Sequence, residues 1–536
     1  MIPVPDLNFG YNDAQTYRGR EYKELFNKFF IRTKDLDKLC ENNTYFLIGE
    51  KGTGKTAYAV YISNTEYKEK IGIHKHVRET DYLKFIKLKL GRHLQLSDYT
   101  DIWSVIIYLL LSQQILEREK NITSISKYWK FRAIQKAIDE FYYGAFSPEI
   151  IHAMRFVDDL KLSVQLLTKY FNSEGKTGAG ISREITTDNS RFQMNLYYIQ
   201  KQFEEALSSI SLSKSYILFI DGIDVRPSGV PFDEYLECVK GLANAAWAIN
   251  NDIFSSIKDS KGRLRVVLLL RPDIFESLGL QNQNNKLRDN SILLDWRTKY
   301  PIYRKSPIFE VADNILKVQQ TREEITNLNK GDAWDYYFPY DVEDEEQNSE
   351  EHSAFKDFLK YSLSRPRDIV TMLNILKITF ENKGKNPNEV FSREDFQDPD
   401  FRDQLATYFL GEIRDELLFY YSEDEYRTFI TFFPYLKGAS RFSYQLYKSA
   451  FDLYHDFITR NNYAIPAFCD NEDNFLQFLY NHNIICYIDD TTKGGFIRWC
   501  YREREYGNIS PKVRTHTVYL IHYGMLKAFN TGKIVL

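Results

Sequence analysis

The segment Gly49-Glu50-Lys51-Gly52-Thr53-Gly54-Lys55-Thr56 fits the pattern G-x-x-x-x-G-K-S/T, whose residue types suit a chain of phosphates. Gly49, Gly52 and Gly54 carry no Cβ, so the backbone can curl and aim its N–H groups, including that of Thr53, at phosphate oxygens. Lys55 brings a cation to the β- and γ-phosphates. Thr56 offers a hydroxyl to Mg²⁺, and a helix starting there adds its positive N-terminal end. The implied ligands are ATP and Mg²⁺. A second lysine-threonine pair, Gly175-Lys176-Thr177, is a decoy, because Tyr170 stands where the first loop glycine belongs.

Three further side chains have the chemistry to complete such a site. Asp221 ends the apolar run Tyr216–Ile220, so a strand there would deliver its carboxylate to the sheet edge where open α/β sheets hold ligands. From that place it could hold Mg²⁺ through water; the plainer alternative is a surface turn, Asp221-Gly222-Ile223-Asp224. Asp224 either polarises an attacking water or caps the next helix. Arg271 ends the run Leu264–Leu270 and either senses the γ-phosphate or pairs with Asp273. Arg367, in Ser364-Arg365-Pro366-Arg367-Asp368, either reaches the nucleotide from a helical lid or is an ordinary surface charge. His74 and His76 lack metal-ligand company and read as a surface pair.

The elements that must position these residues follow from the apolar pattern. A strand over Thr44–Ile48 runs into the glycine loop, and a helix follows from Thr56 to about Asn64. Strands over Tyr216–Ile220 and Leu264–Leu270, with a helix near Phe232–Ile249 between them, predict a parallel sheet covered on both faces. Helical periodicity dominates about 80–207, with Trp103, Ile106, Ile107, Leu110 and Leu111 on one face and Phe192, Leu196, Ile199, Phe203 and Leu207 on another. A polar loop, Phe171–Gly180, lies between these faces. Residues 341–351 form an acidic, solvated connection. Glu381–Asp400 reads as a linker, with a capping box from Ser392 to Asp395. Helices near 402–421 and 423–436 follow, then a helix, helix, strand-turn-strand tail.

Bulk properties narrow the class. At 536 residues the chain exceeds one ordinary core. Hydrophobic residues at 43% and charged residues at 27% describe a folded globular protein, and 39 Tyr with 38 Phe supply large cores and contact surfaces. A net charge of −4 and a pI of about 6.2 give no global field toward nucleic acid or acidic membrane. Five scattered cysteines without a C-x-x-C pair argue against disulfides and zinc. No signal peptide or run of membrane-spanning length is visible, which predicts a cytoplasmic protein with no membrane partner.

Together these stretches resemble the AAA+/STAND branch of P-loop ATPases, and among them the stand-alone ATPases of bacterial conflict and anti-phage systems. Phe46–Thr56 resembles Walker A and Ile217–Asp224 resembles Walker B. Val266–Phe275 is similar to a sensor-1 strand, and Ser364–Arg367 to a sensor-2 or lid proline motif. The resemblance covers about residues 40–380. It implies an α/β P-loop NTPase fold with an ASCE/AAA+-like parallel sheet, a helical lid and a C-terminal winged-helix-like domain. The expected organisation is a lead-in over 1–40, a core over 41–300 with a helical insertion at about 80–207, a lid over 301–385, and a C-terminal domain over 386–536. Two departures stand out. Gly222 occupies the place of the usual catalytic Glu, and 165 positions separate Thr56 from Asp221.

The function this implies is ATP binding with slow, Mg²⁺-dependent hydrolysis, as a nucleotide-controlled switch or motor in a multi-protein defence complex. Its partners would be an effector or other subunit, or further copies in a homo-oligomer. The alternative is an initiator- or loader-type ATPase that binds DNA through its winged helix, where Arg498, Arg502, Arg504, Lys512 and Arg514 cluster among aromatic residues.

Overall fold

In a computed structural model, the apolar runs read as strands form the middle of a five-stranded sheet. Residues 1–78, 96–119, 125–144, 189–227, 229–258, 260–321, 327–342, 353–491 and 494–532 are described. The chain divides into two compact units. One comprises Lys34–Gly49 and Tyr58–Ile292; the other comprises Met1–Thr33, Glu50–Ala57 and Leu293–Leu536.

The unit of Lys34–Gly49 and Tyr58–Ile292 is built on the sheet. Its strands are β1 (Phe46–Ile48), β2 (Lys70–His76), β3 (Ser215–Asp221), β4 (Leu264–Leu270) and β5 (Ser291–Leu293), in the order β2-β3-β4-β1-β5. The pairs β2·β3, β3·β4 and β4·β1 are parallel. Every residue of β1 and β4 is buried, as expected of strands covered on both faces. β4 has the bounds its sequence predicts, and β3 is one residue longer at each end. Periodicity reveals neither β5 nor β2: Lys70-Ile-Gly-Ile-His-Lys-His76 mixes charge with apolar residues and carries a glycine, yet pairs with β3 along its whole length.

Helix α1 (Lys55–Thr65) leaves the glycine loop. Three long helices come from the 80–207 stretch, α2 (Leu96–Glu119), α3 (Ile125–Gly144) and α4 (Asn189–Ser208), and α5 (Phe232–Ala248) links β3 to β4. The loop Phe171–Gly180 lies outside the described residues, as do the side chains of Phe192 and Leu196. α2 departs from the single apolar face expected of it. Ile102 through Leu111 are all buried, so it is apolar around its circumference and lies inside its unit. The indole Nε1 of Trp103 donates to the Cys238 carbonyl of α5 at 3.1 Å, and Tyr108 on α2 donates to Glu204 on α4 at 3.3 Å.

In the other unit, α6 (Pro366–Asn382) and α7 (Pro399–Leu417) precede a tail with α8 (Tyr444–Arg460) and α9 (Glu472–Asn481). Strands β6 (Arg441–Ser443), β7 (Ile485–Thr491), β8 (Gly494–Arg498) and β9 (Val518–Ile521) form an antiparallel sheet in the order β6-β9-β7-β8. The high aromatic content is core: Phe429, Phe432, Phe468, Phe475 and Phe478 pack edge to face or stacked and are all buried. The stretch Glu381–Asp400, expected as a linker, lies wholly within this unit. Its polar residues build structure there, since Ser392 and Asp395 form the predicted capping box. The fully buried Asp395 also pairs with Lys385 at 2.6 Å and Lys383 at 3.7 Å. The acidic connection over 341–351 lies mostly outside the described residues.

A close helix crossing in the sheet unit is set by Gly241 on α5. A Cβ there would stand 2.5 Å from the Tyr99 Cβ of α2. Gly241→Val should therefore overpack this crossing and lower stability by about 1–3 kcal/mol. A urea midpoint unchanged from wild type would show that the two helices do not approach so closely.

Candidate phosphate and divalent-cation site

The parallel strands deliver their C-terminal ends to one sheet edge, and the chemistry-bearing residues follow from that register. Ile220 and Phe46 both pair with Leu268, so Asp221 lies level with Leu47. Two strand spacings separate them, about 10 Å. Gly49 caps the edge by donating its N–H to the Leu270 carbonyl at 3.1 Å. Arg271 follows Leu270 directly.

Asp221 is buried and tightly held. Its Oδ1 accepts from the Gly222 N–H at 2.9 Å, and its Oδ2 lies 3.0 Å from His74 Nε2. This corrects the reading of His74 as one of a surface pair: with β2 in place, the side chain turns inward and is 1% exposed. His76, two residues on, is half-buried. Gly222 has a structural reason of its own. Its φ is +81°, and a Cβ would meet the Val77 carbonyl at 2.4 Å and the His76 ring at 2.8 Å, which leaves no room for a glutamate.

Asp224 is half-buried in the turn after β3. It does not cap the next helix, because the N-cap of α5 is Pro231. Arg271 is buried and its guanidinium forks onto the Asp273 carboxylate, Nε to Oδ1 at 3.0 Å and Nη2 to Oδ2. Of the alternatives open from sequence, the pairing with Asp273 is the contact that is formed.

The glycine loop has the shape its sequence predicts, with Gly52 at φ +86° and Gly54 at φ +92°, and α1 begins at Lys55. Lys55 is buried and its Nζ donates to the Glu50 carbonyl at 3.1 Å, inside the loop. Thr53 Oγ1 donates to the same carbonyl at 2.8 Å. Thr56 is half-buried on the first turn of α1. Left-handed glycines, a buried lysine and a helix start fit a polyphosphate on this observation alone. Among the described residues, no group of three or more His, Cys, Asp or Glu side chains is placed to hold a metal. A divalent cation would therefore draw on phosphate oxygens and water, as Mg²⁺ commonly does.

The loop is also held by residues that the sequence did not assign to it. Trp296 Nε1 donates to the Thr53 carbonyl at 2.8 Å, and Arg365 Nη1 to the Lys51 carbonyl at 2.9 Å. Lys51 pairs with Asp415 at 2.8 Å and Glu412 at 3.3 Å, and Arg504 pairs with Glu50. Arg367, the residue the sequence favoured, contributes its backbone N–H to the Gly52 carbonyl at 3.3 Å. Its side chain reaches the Asn12 carbonyl at 3.2 Å and Glu412 at 3.4 Å. The i,i+3 pair of Arg365 with Asp368 was the one sequence signal available, and the two form a buried salt bridge at 2.7 Å.

Arg365 is braced by a second tier. Asp368 also accepts from Tyr408 Oη at 2.8 Å and from the Leu363 N–H at 2.9 Å, and Ser364 takes a left-handed φ of +53° between them. His522 closes this turn. Its Nε2 lies 3.2 Å from the Ser362 carbonyl and its Nδ1 accepts from the Gly524 N–H at 3.3 Å, the bonds of a neutral imidazole.

In the tail, the cations of the expected DNA-binding cluster are largely engaged. Arg498 meets Glu503 at 3.2 Å and Asp489 at 3.6 Å, Arg514 pairs with Asp489, Arg504 with Glu50, and Arg502 Nε donates to Tyr501 Oη at 3.0 Å. Among the described residues no helix is long and apolar enough to cross a membrane. In comparisons with known proteins, no family model matches the chain, and no curated protein matches it.

Burial pushes the His522 imidazole down to about 4 from an ordinary 6.5, against the smaller pull of Asp368 and the Ser362 carbonyl and alongside the repulsion of Arg365 and Arg502. A folded-state value below the unfolded one means stability is fully present above pH 6.5 and is lost as pH falls toward 4. The loss between pH 7 and pH 5 should be about 2 kcal/mol, and His522→Gln should remove it. Equal pH slopes for the two proteins in denaturant melts would refute the assignment.

Proposed function

We propose that this chain binds ATP with Mg²⁺ and hydrolyses it slowly, as a nucleotide-controlled switch within a larger protein assembly. The observation that carries the proposal is the Gly49–Thr56 loop. It follows a buried parallel strand, takes left-handed backbone at Gly52 and Gly54, and opens into α1. Sheet order adds support, since β4 lies between the loop-bearing β1 and the acid-bearing β3, as suits the ASCE-type core that the resemblance implies. Helices α8 and α9 followed by the β7–β8 hairpin suit the expected winged-helix-like domain, and α6, opened by Arg365-Pro366-Arg367, suits the lid.

In this reading the N–H groups of Gly52 and Gly54 bind the phosphate oxygens, that of Thr53 joins them on leaving the Glu50 carbonyl 3.2 Å away, and Lys55 Nζ exchanges the same carbonyl for the β- and γ-phosphates. As the resemblance implies, Thr56 would hold Mg²⁺ directly and Asp221 would hold it through water. When bound, Mg²⁺ supplies charge neutralisation on the phosphate oxygens. Asp224 is the residue assigned to orient the attacking water. Arg271 would have to release Asp273 before touching a γ-phosphate, so charge-sensing there couples to a local rearrangement.

Slow turnover follows from Gly222. The position after Asp221 cannot carry a carboxylate, so the strongest general base is missing from the place where a fast hydrolase keeps it. Such an enzyme dwells in its ATP-bound state, which suits gating of another protein better than rapid motor work. The partner would be an effector or other subunit, and a bacterial anti-phage complex is the setting the resemblance adds.

Lys55→Ala should weaken ATP binding about 10–100-fold, the worth of one charged hydrogen bond. Asp221→Asn should leave metal-free ATP binding intact while cutting phosphate release about 100-fold. Phosphate release that survives Lys55→Ala unchanged would remove the loop from the mechanism.

A further inference from the structure

The contact between β2 and the end of β3 assigns a role to a residue no motif contains. His74 pairs with Phe219 across the parallel β2·β3 ladder, so Asp221 is its diagonal neighbour two residues on, within reach of a long side chain. The two side chains are 1% and 8% exposed, and His74 Nε2 lies 3.0 Å from Asp221 Oδ2. A carboxylate only accepts, so Nε2 carries the proton and donates it. The other ring nitrogen, Nδ1, is buried without a hydrogen-bond partner among the described residues.

That orphaned nitrogen is the informative detail. A buried polar atom without a partner costs about 1–3 kcal/mol, and an apolar side chain in this place would avoid the cost. Among the inward-facing positions of β2, a leucine would pack without it. The one hydrogen bond of the histidine ring among the described residues is with Asp221. The second bond to that carboxylate, from the Gly222 N–H to Oδ1 at 2.9 Å, comes from the opposite oxygen. Together the two donors fix the plane of the carboxylate and the direction of its lone pairs.

We propose that His74 is a positioning residue that orients the Asp221 carboxylate toward a hydrated divalent cation and thereby sets the affinity of the site for that cation. The inference rests on the phosphate-site reading above. Outer-shell donors of this kind typically change metal affinity about 10–100-fold when removed. His74 touches neither phosphate nor metal, so its loss should leave metal-free nucleotide binding alone.

The test is equilibrium binding of a fluorescent ATP analogue to the full chain, first in excess EDTA and then along a MgCl₂ titration. For His74→Leu, the Mg²⁺ concentration giving half the affinity gain should rise about 10–100-fold, with the EDTA affinity within about twofold of wild type. His74→Gln, which keeps a donor of similar reach, should recover most of the loss. Should His74→Leu fail to fold, His74→Met, apolar but more adaptable, takes its place. An unchanged Mg²⁺ midpoint in the apolar variant overturns the proposal, as does an equal loss with and without metal, which is the mark of a merely structural residue. Wild-type protein whose ATP affinity ignores Mg²⁺, or Lys55→Ala with normal binding in EDTA, would instead overturn the phosphate-site reading and this inference with it.

Discussion

A charge taken out of water must meet an opposite charge or a hydrogen-bonding partner, and that rule orders the buried charges of this protein. Asp221 meets His74 and a backbone amide, Arg271 meets Asp273, and Arg365 meets Asp368. Each pair sits at the end of a strand or the start of a helix, where backbone groups are also short of partners. The same side chains therefore serve two needs at once, neutralising one another and closing off exposed carbonyls, as Arg365 does at Lys51.

Arg365 and Arg367 illustrate how little a one-residue difference reveals from sequence. Both flank Pro366, and both guanidinium groups lie in the same unit as the glycine loop. Only Arg365 has an acid at i+3 on the same helical turn, and it is the buried one. Burial raises the energetic stake of every bond it makes, so its bond to the Lys51 carbonyl is a stiffer restraint than the solvent-screened contact of Arg367 with Glu412. Trp296 adds a rigid indole donor on the Thr53 carbonyl. The loop is thus held at the carbonyls of Lys51, Gly52 and Thr53.

Those parts of the fold with uniform local signals were legible in the sequence. The apolar runs of β3 and β4, the glycine pattern and the Ser392 to Asp395 capping box each declare themselves within about eight residues. β2 was not legible, because an edge strand with Gly72 and a run of His74, Lys75 and His76 has no sufficiently strong period of its own. His74 was lost with it, since a histidine reads as exposed until a neighbouring strand supplies a buried acid. Trp296, and the loop contact of Arg504, which the sequence placed in the tail cluster, were out of reach for a different reason: their partners are a main-chain carbonyl and a loop glutamate, contacts that leave no mark in composition or spacing.

The grip on the loop also has a bearing on how the molecule is made. Lys51 is tied to Asp415 across 364 positions and Glu50 to Arg504 across 454. Both restraints are absent while the first half of the chain leaves the ribosome, and loops of that span close only once the distant segment exists. The strand and glycines are synthesised well before the segments that restrain them. A chain made only as far as the glycine loop would carry its signature without its finished form.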